Sequence, residues 1–184
     1  MQITSGSFKY RKIDALYNSK LRPTSNKIRQ ALFNILINRY DWNNWCHKAH
    51  LLDAFSGSGI ITIEGFSRKL FSATLIEEDP NIFKILEENF TKLELIKKAQ
   101  LINENFFDVI LQKKAYDIVY LDPPYRFDFV NKAIEKILSD NALKKNALLI
   151  CETEKNYQYN EFLKKNMLSN KIYGKTLITF ISFS

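Results

Sequence analysis

Four consecutive residues, Asp122-Pro123-Pro124-Tyr125, are the most specific chemistry-bearing feature of this 184-residue sequence. A carboxylate beside a prolyl carbonyl is a pair of hydrogen-bond acceptors, and that pair suits methylation of an exocyclic amine on a nucleic-acid base. Such an amine is a poor nucleophile because its lone pair is delocalised into the ring. If the Asp122 carboxylate and the Pro123 carbonyl each accept one amine hydrogen, the lone pair turns toward the electrophile and the developing charge is stabilised. No strong base is required, because the proton becomes acidic only after transfer and then leaves to Asp122 or water. The prolines fix φ and stiffen the acceptors, while Tyr125 offers a face on which the base can stack. Holding two reactants in this way supplies up to roughly 7 to 11 kcal/mol of a barrier. The bland alternative is a proline-stiffened turn after a strand.

A second constellation lies upstream, in Asp53-Ala54-Phe55-Ser56-Gly57-Ser58-Gly59. An apolar run, a glycine-rich turn and a helical stretch in succession present backbone N–H groups to an anionic group, and Gly57 and Gly59 remove side chains that would obstruct it. A dinucleotide fingerprint would need glycine at position 62, which is Thr62, and the Gly-Lys-Ser/Thr ending of a phosphate loop is absent. Glu77 ends the next apolar run, where a carboxylate can accept from both ribose hydroxyls of an adenosine moiety. This combination fits S-adenosylmethionine, although Glu78 and Asp79 leave the acidic position open by a residue or two. Asn105 and Phe106, beyond the third run, are placed to meet an adenine edge and face, and would equally begin a helix.

Both constellations follow apolar runs, and those runs must position them. The runs are 51–55, 73–77, 99–103, 116–121, 147–152 and 176–183, most of them too short for helices. Helical patterns at 60–69, 81–92, 105–113 and 128–139 separate the earlier ones, the second opened by Asp79 as cap and Pro80 at the first helical position. Strand–helix alternation with nearly continuous apolar strands implies a doubly wound α/β domain, whose ligands bind at the carboxyl ends of the strands. Further upstream, Ile28, Leu32, Ile35 and Leu36 share one helical face with Ser25 as cap, and the segment DWNNWCHK at 41–48 reads as a loop.

Composition narrows the partner. A formal charge of +7, with an isoelectric point near 9.3, favours a polyanion, though a compositional bias toward Lys, Asn and Ile would raise it too. Distribution is more telling: residues 1–29 carry Lys9, Arg11, Lys12, Lys20, Arg22, Lys27 and Arg29 against Asp14 alone, interleaved with Phe8, Tyr10 and Tyr17. Cations that track phosphates beside rings that stack on bases compose an RNA-contacting surface, or else a solvated hairpin. Cys46 and Cys151 have no ligand spacing and read as reduced thiols, with no metal site expected. No apolar run reaches membrane-spanning length and the N-terminus lacks a secretory signal, so a cytoplasmic protein is expected.

At these residues the sequence resembles the RsmD family of bacterial methyltransferases, which modify the 2-amino group of a guanine in 16S rRNA. The likeness runs nearly end to end, through ITSGSFKYRKI, LRPT with Arg29, ALFN, DAFSGSG, LIEED, DPPY and KIYGKT. It implies a Rossmann-like class I S-adenosylmethionine-dependent methyltransferase with a doubly wound, mainly parallel seven-stranded sheet, an antiparallel C-terminal strand and a small N-terminal extension. Residues 1–45 would be the basic arm and helix within one compact unit, and 46–184 the methyltransferase domain. Asp53, Phe55, Gly57, Ser58, Gly59, Glu77 and Asn105 would line the cofactor pocket, and Asp122 to Tyr125 would meet the base. Arg22, Pro23 and Thr24 would close over the site, the arm would hold 16S rRNA, bare or within a small-subunit particle, and the protein would act as a monomer.

Related tetrads also serve enzymes that methylate adenine amines in nucleic acid and glutamine amides in proteins. A DNA enzyme usually carries an added recognition domain for which this chain has no spare length beyond its first 45 or so residues, and a basic aromatic arm suits a peptide poorly. A catalytically idle RNA-binding module of the same fold is the other alternative, against which the intact Asp122 counts. His47 and His50 are expected to be structural, because this chemistry does not demand an imidazole.

Overall fold

The computed structural model describes residues 1–15, 25–124 and 128–183. Seven strands form one sheet: β1 (His50–Asp53), β2 (Ser72–Ile76), β3 (Ala99–Ile102), β4 (Tyr116–Leu121), β5 (Leu143–Glu154), β6 (Met167–Tyr173) and β7 (Thr176–Ser182). Their order is β3-β2-β1-β4-β5-β7-β6. The first five pair in parallel, and β7 runs antiparallel to both β5 and β6. This is the doubly wound sheet with one reversed C-terminal strand that the resemblance implies.

The alternation of strand side chains explains why these runs are continuously apolar. Leu51, Leu75, Ile118 and Ile150 join one buried cluster, while their chain neighbours Leu52, Ile76, Val119 and Cys151 join the other. Strands β1, β2, β4 and β5 are thus covered on both faces. The first layer is built by α1 (Asn26–Arg39), α3 (Ile60–Ser67) and α4 (Pro80–Lys92), together with Ile3 and Ile13 of the N-terminal arm. The second is built largely by α5 (Phe129–Ser139), through Val130, Ala133, Ile134 and Ile137. Ser25 caps α1 by accepting from the Ile28 N–H at 3.3 Å. Asp79 accepts from Asn81 N at 2.8 Å to cap α4, with Pro80 in its first turn.

Three expectations are corrected. Residues 105–113 form no helix: Asn105 Oδ1 accepts from Phe107 N at 2.9 Å, and Asp108 N donates to the Asn105 carbonyl at 3.0 Å. A side chain that binds its own backbone offers the chain a turn in place of a helix. The segment 41–48 is not a loop but a short helix α2 (Trp42–Trp45) running into a 3₁₀ turn (Cys46–Lys48). Trp42 drives this by burying its ring edge-on to Phe33 at 5.5 Å while its Nε1 donates to the Arg68 carbonyl at 2.9 Å. Strand β6 escapes the apolar reading because it is the sheet edge, where Leu168 and Ile172 stay about half exposed among polar neighbours.

Among the described residues no helix is long and apolar enough to cross a membrane. Cys46 and Cys151 are buried free thiols.

Candidate functional site

The switch point of this sheet lies between β1 and β4, since β2 flanks β1 on one side and β4 on the other. Open α/β sheets bind ligands there, outside the carboxyl ends of the strands. Asp53 pairs in register with Tyr120, and Ala54 N donates to the Tyr120 carbonyl at 3.2 Å. The turn after β1 and the Asp122-Pro123 step after β4 therefore leave the sheet side by side.

The turn is tied down from several directions. Ser56 N and Oγ donate to the Ile76 carbonyl at 3.0 and 3.1 Å. Gly57 N donates to Glu77 Oε2 at 2.9 Å, and Asp79 N donates to Glu77 Oε1 at the same distance. Burial pushes the Glu77 carboxyl above its ordinary pKa, against the two N–H bonds that favour its charged form. The glycines differ in purpose. A Cβ on Gly57 would meet nothing within 4 Å, so its φ of +53° leaves bare backbone facing open space. A Cβ on Gly59 would lie 2.6 Å from both Leu86 and Phe90 of α4. The Cβ side of Gly59 therefore faces the packing of α4, whereas that of Gly57 faces open space.

Asp53 is 1% exposed and accepts from Thr62 Oγ1 at 2.7 Å. The threonine that breaks the dinucleotide fingerprint thus holds this carboxyl. Burial raises the Asp53 pKa from 3.8 to about 7. A folded-state carboxyl raised above its unfolded value makes folding less favourable as pH rises across that window. Asp53→Asn should consequently be neutral near pH 4 and stabilising at pH 8, gaining up to about 1.4 kcal/mol per pH unit crossed. Urea denaturation of both proteins at several pH values measures this; parallel curves would show that Asp53 titrates normally.

Beyond the ends of β2 and β3, Asn105 Nδ2 donates to Glu78 Oε2 at 2.7 Å, and Asn103 Nδ2 donates to the Glu77 carbonyl at 2.7 Å. Phe106 is only 2% exposed, with its ring 5.1 Å from Phe55 and 5.4 Å from Phe107. It is a core residue, not an open adenine platform; the half-buried rings here are Phe55, Phe107 and Phe129. Beyond β4, Asp122 is half-buried, Pro123 buried and Pro124 exposed. A cleft of about 310 Å³ opens beside the two prolines, bounded across from them by Glu152, Asn156 and Tyr157.

The model of a family described as conserved hypothetical protein 95 matches residues 1–182. The ribosomal RNA small subunit methyltransferase D of Haemophilus influenzae is 33% identical over 159 residues, covering 84% of this chain and 79% of the relative. Its counterpart from Buchnera aphidicola (Baizongia pistaciae) is 35% identical over 180 residues, covering 94% and 89%. The chain belongs to the RsmD family. A solved Haemophilus influenzae structure, described as a methylase, superposes with a TM-score of 0.80 at 28% identity, covering 98% of this chain and 97% of its own. An RNA methyltransferase of Salinibacter ruber, solved with S-adenosyl-L-homocysteine, has a TM-score of 0.62 at 16% identity over 88% and 93% of the two chains, a likeness of fold alone.

Of the residues expected to close over the site or to meet RNA, Arg22, Pro23 and Thr24 lie outside the described residues, as does Tyr125. Lys9, Arg11 and Lys12 are exposed on a hairpin in which Lys9 lies 4.7 Å over the Tyr10 ring and Arg11 5.4 Å from that of Phe8. Arg29 is corrected: it is 1% exposed, donates to Glu64 Oε1 at 3.2 Å and Gln2 O at 2.7 Å, and so joins α1 to α3 and the arm instead of facing a phosphate. Several positioning residues of this RsmD chain carry no motif in the sequence. Asn89 is one: its Nδ2 donates to the Ser58 carbonyl at 3.1 Å and to that of Asp14 at 2.9 Å, linking the glycine turn and the arm. A polar residue on the apolar stripe of α4 was the available signal. Tyr120 and Glu152 are others, joined at 2.6 Å below the cleft.

Proposed function

We propose that this protein transfers a methyl group from S-adenosylmethionine to the exocyclic 2-amino group of a guanine in 16S rRNA. The observation that carries the reading is the adjacency of two strand ends: the glycine turn after Asp53 and the acceptor pair Asp122-Pro123 lie on hydrogen-bonded strands. The names of the curated relatives support small-subunit ribosomal RNA as the substrate.

The residues present fit the cofactor. The bare backbone at Gly57 leaves room for its amino-acid end, Glu77 lies at the end of β2 where ribose hydroxyls need an acceptor, and Asn105 and the Phe55 ring border the same edge. When bound, it supplies an electrophilic methyl on a sulfonium. The protein's own task is orientation. Asp122 and the Pro123 carbonyl accept the amine hydrogens and aim the lone pair, and Asp122 or solvent takes the proton released after transfer. Pro123 and Pro124 hold those acceptors at fixed φ.

The test supplies labelled S-adenosylmethionine with small ribosomal subunits, their extracted RNA, and DNA, followed by nucleoside analysis. Methylated guanine in the ribosomal substrates is the expected product, and label only in DNA adenine would overturn the substrate. The arm adds a second test. Converting Lys9, Arg11 and Lys12 together to Ala should weaken RNA binding and lower the slope of log K against log salt by roughly 0.7 to 0.9 per lost phosphate contact. An unchanged slope would take the RNA surface elsewhere.

A further inference from the structure

Leu121 pairs in parallel register with Cys151, so Asp122 and Glu152 are the next residues on adjacent strands. Tyr120, two positions before Asp122, lies on the same face of β4. Its hydroxyl donates to Glu152 Oε2 at 2.6 Å, and the ring is fixed in place at 2% exposure. Glu152 is itself 5% exposed, yet it lines the cleft that opens beside Pro123 and Pro124. A buried carboxylate is costly to desolvate, and here one is braced by Tyr120 at the wall of a cleft shared with Pro123 and Pro124, one strand away from Asp122.

We propose that Glu152 reads the target base by accepting the ring N1–H next to the reactive amine, with Tyr120 as the residue that positions it. The inference rests on the guanine reading above. In guanine the ring atom beside the exocyclic amine carries hydrogen, whereas in adenine and cytosine the corresponding atom carries a lone pair. A carboxylate pairs with the first and repels the second. Sites built around a buried hydrogen-bonding group reject ligands lacking the partner more strongly than apolar pockets reject a wrong shape. Of the other acids at the cleft, Asp128 sits at the start of α5, bonded to Asn131 Nδ2 at 2.6 Å, and Glu154 is exposed at the strand end; neither is joined to β4 as Glu152 is through Tyr120.

The experiment uses the full-length protein and reconstituted small-subunit particles carrying guanine or 2-aminopurine at the position that nucleoside mapping identifies. 2-Aminopurine keeps the amine, replaces N1–H by a lone pair and lacks the 6-oxygen, so the comparison of wild type with Glu152→Gln isolates the N1 contribution. The wild-type protein should favour guanine by roughly 10²-fold in kcat/KM. Glu152→Gln keeps an acceptor for Tyr120 but can donate from its amide, so the guanine preference should collapse by at least about 10-fold while affinity for S-adenosylhomocysteine and the thermal unfolding midpoint stay unchanged. Tyr120→Phe should narrow the same preference, and Glu152→Asp should retain most of it. Wild-type indifference to the swap, or an equal preference in Glu152→Gln, overturns the assignment of Glu152 while leaving the guanine reading standing. Absence of transfer to the guanine particle overturns both.

Discussion

Replacing Asp122 with Ala is expected to lower the methyl-transfer rate by at least about 10²-fold, the scale on which single preorganised transition-state partners act, while affinities for S-adenosylhomocysteine and RNA change by less than a few fold. The carboxylate stands just past β4, two residues beyond Tyr120, whose hydroxyl is held well above its ordinary pKa by burial and then by the nearby Glu152 and Asp122 carboxylates. It is half-buried, so its loss leaves no large cavity and the fold should survive. Asp122→Asn keeps a carbonyl that can accept one amine hydrogen and should retain more activity than the Ala variant. Single-turnover assays beside calorimetric binding measure both. A loss of cofactor binding or folding equal to the loss of rate would return the tetrad to a structural turn.

The second large effect is on stability. Glu64 is fully buried at 0% exposure and lies between Arg29 at 1% and Arg68 at 8%. It also accepts from Thr4 N at 2.9 Å and Thr4 Oγ1 at 3.0 Å, while the Arg68 guanidinium lies 4.4 Å over the Phe33 ring. This one carboxylate holds together the arm, α1 and α3. Glu64→Ala would leave two buried guanidinium groups without their shared counter-charge, and breaking a buried pair from one side typically costs about 3 to 5 kcal/mol. That is a large fraction of the roughly 5 to 15 kcal/mol by which domains are stable. Glu64→Ala combined with Arg29→Met should cost less than the sum of the single changes, because each removes the reason for the other. Urea denaturation of the four proteins provides the cycle; a Glu64→Ala loss below about 1 kcal/mol, or strict additivity, would mean that the ions are solvated in practice.

Local signals in the chain were enough to place the glycine turn and the Asp122-Pro123 step at neighbouring strand ends. The apolar runs ending in Asp53, Glu77 and Asp122 became β1, β2 and β4 because strands buried on both faces need continuous hydrophobicity, and Asp79-Pro80 opened α4 because capping and fixed φ act within one turn. The segment 105–113 went astray for an equally local reason: the Asn105 side chain competes for its own backbone and outweighs the apolar spacing that followed.

Residue type and spacing thus determined the α/β class, the glycine turn and the proline-stiffened step after β4. Tertiary structure alone decided which charges face water and which glycine faces open space. Arg29 is basic in composition but buried against Glu64, thirty-five positions away, and Gly59 makes room for Leu86 and Phe90 while Gly57 stays open. Glu152 meets Tyr120 only because β5 lies beside β4 in a particular register. Such contacts join residues distant in the chain, and side-chain burial depends on what arrives from other elements, so no pattern along one segment encodes them.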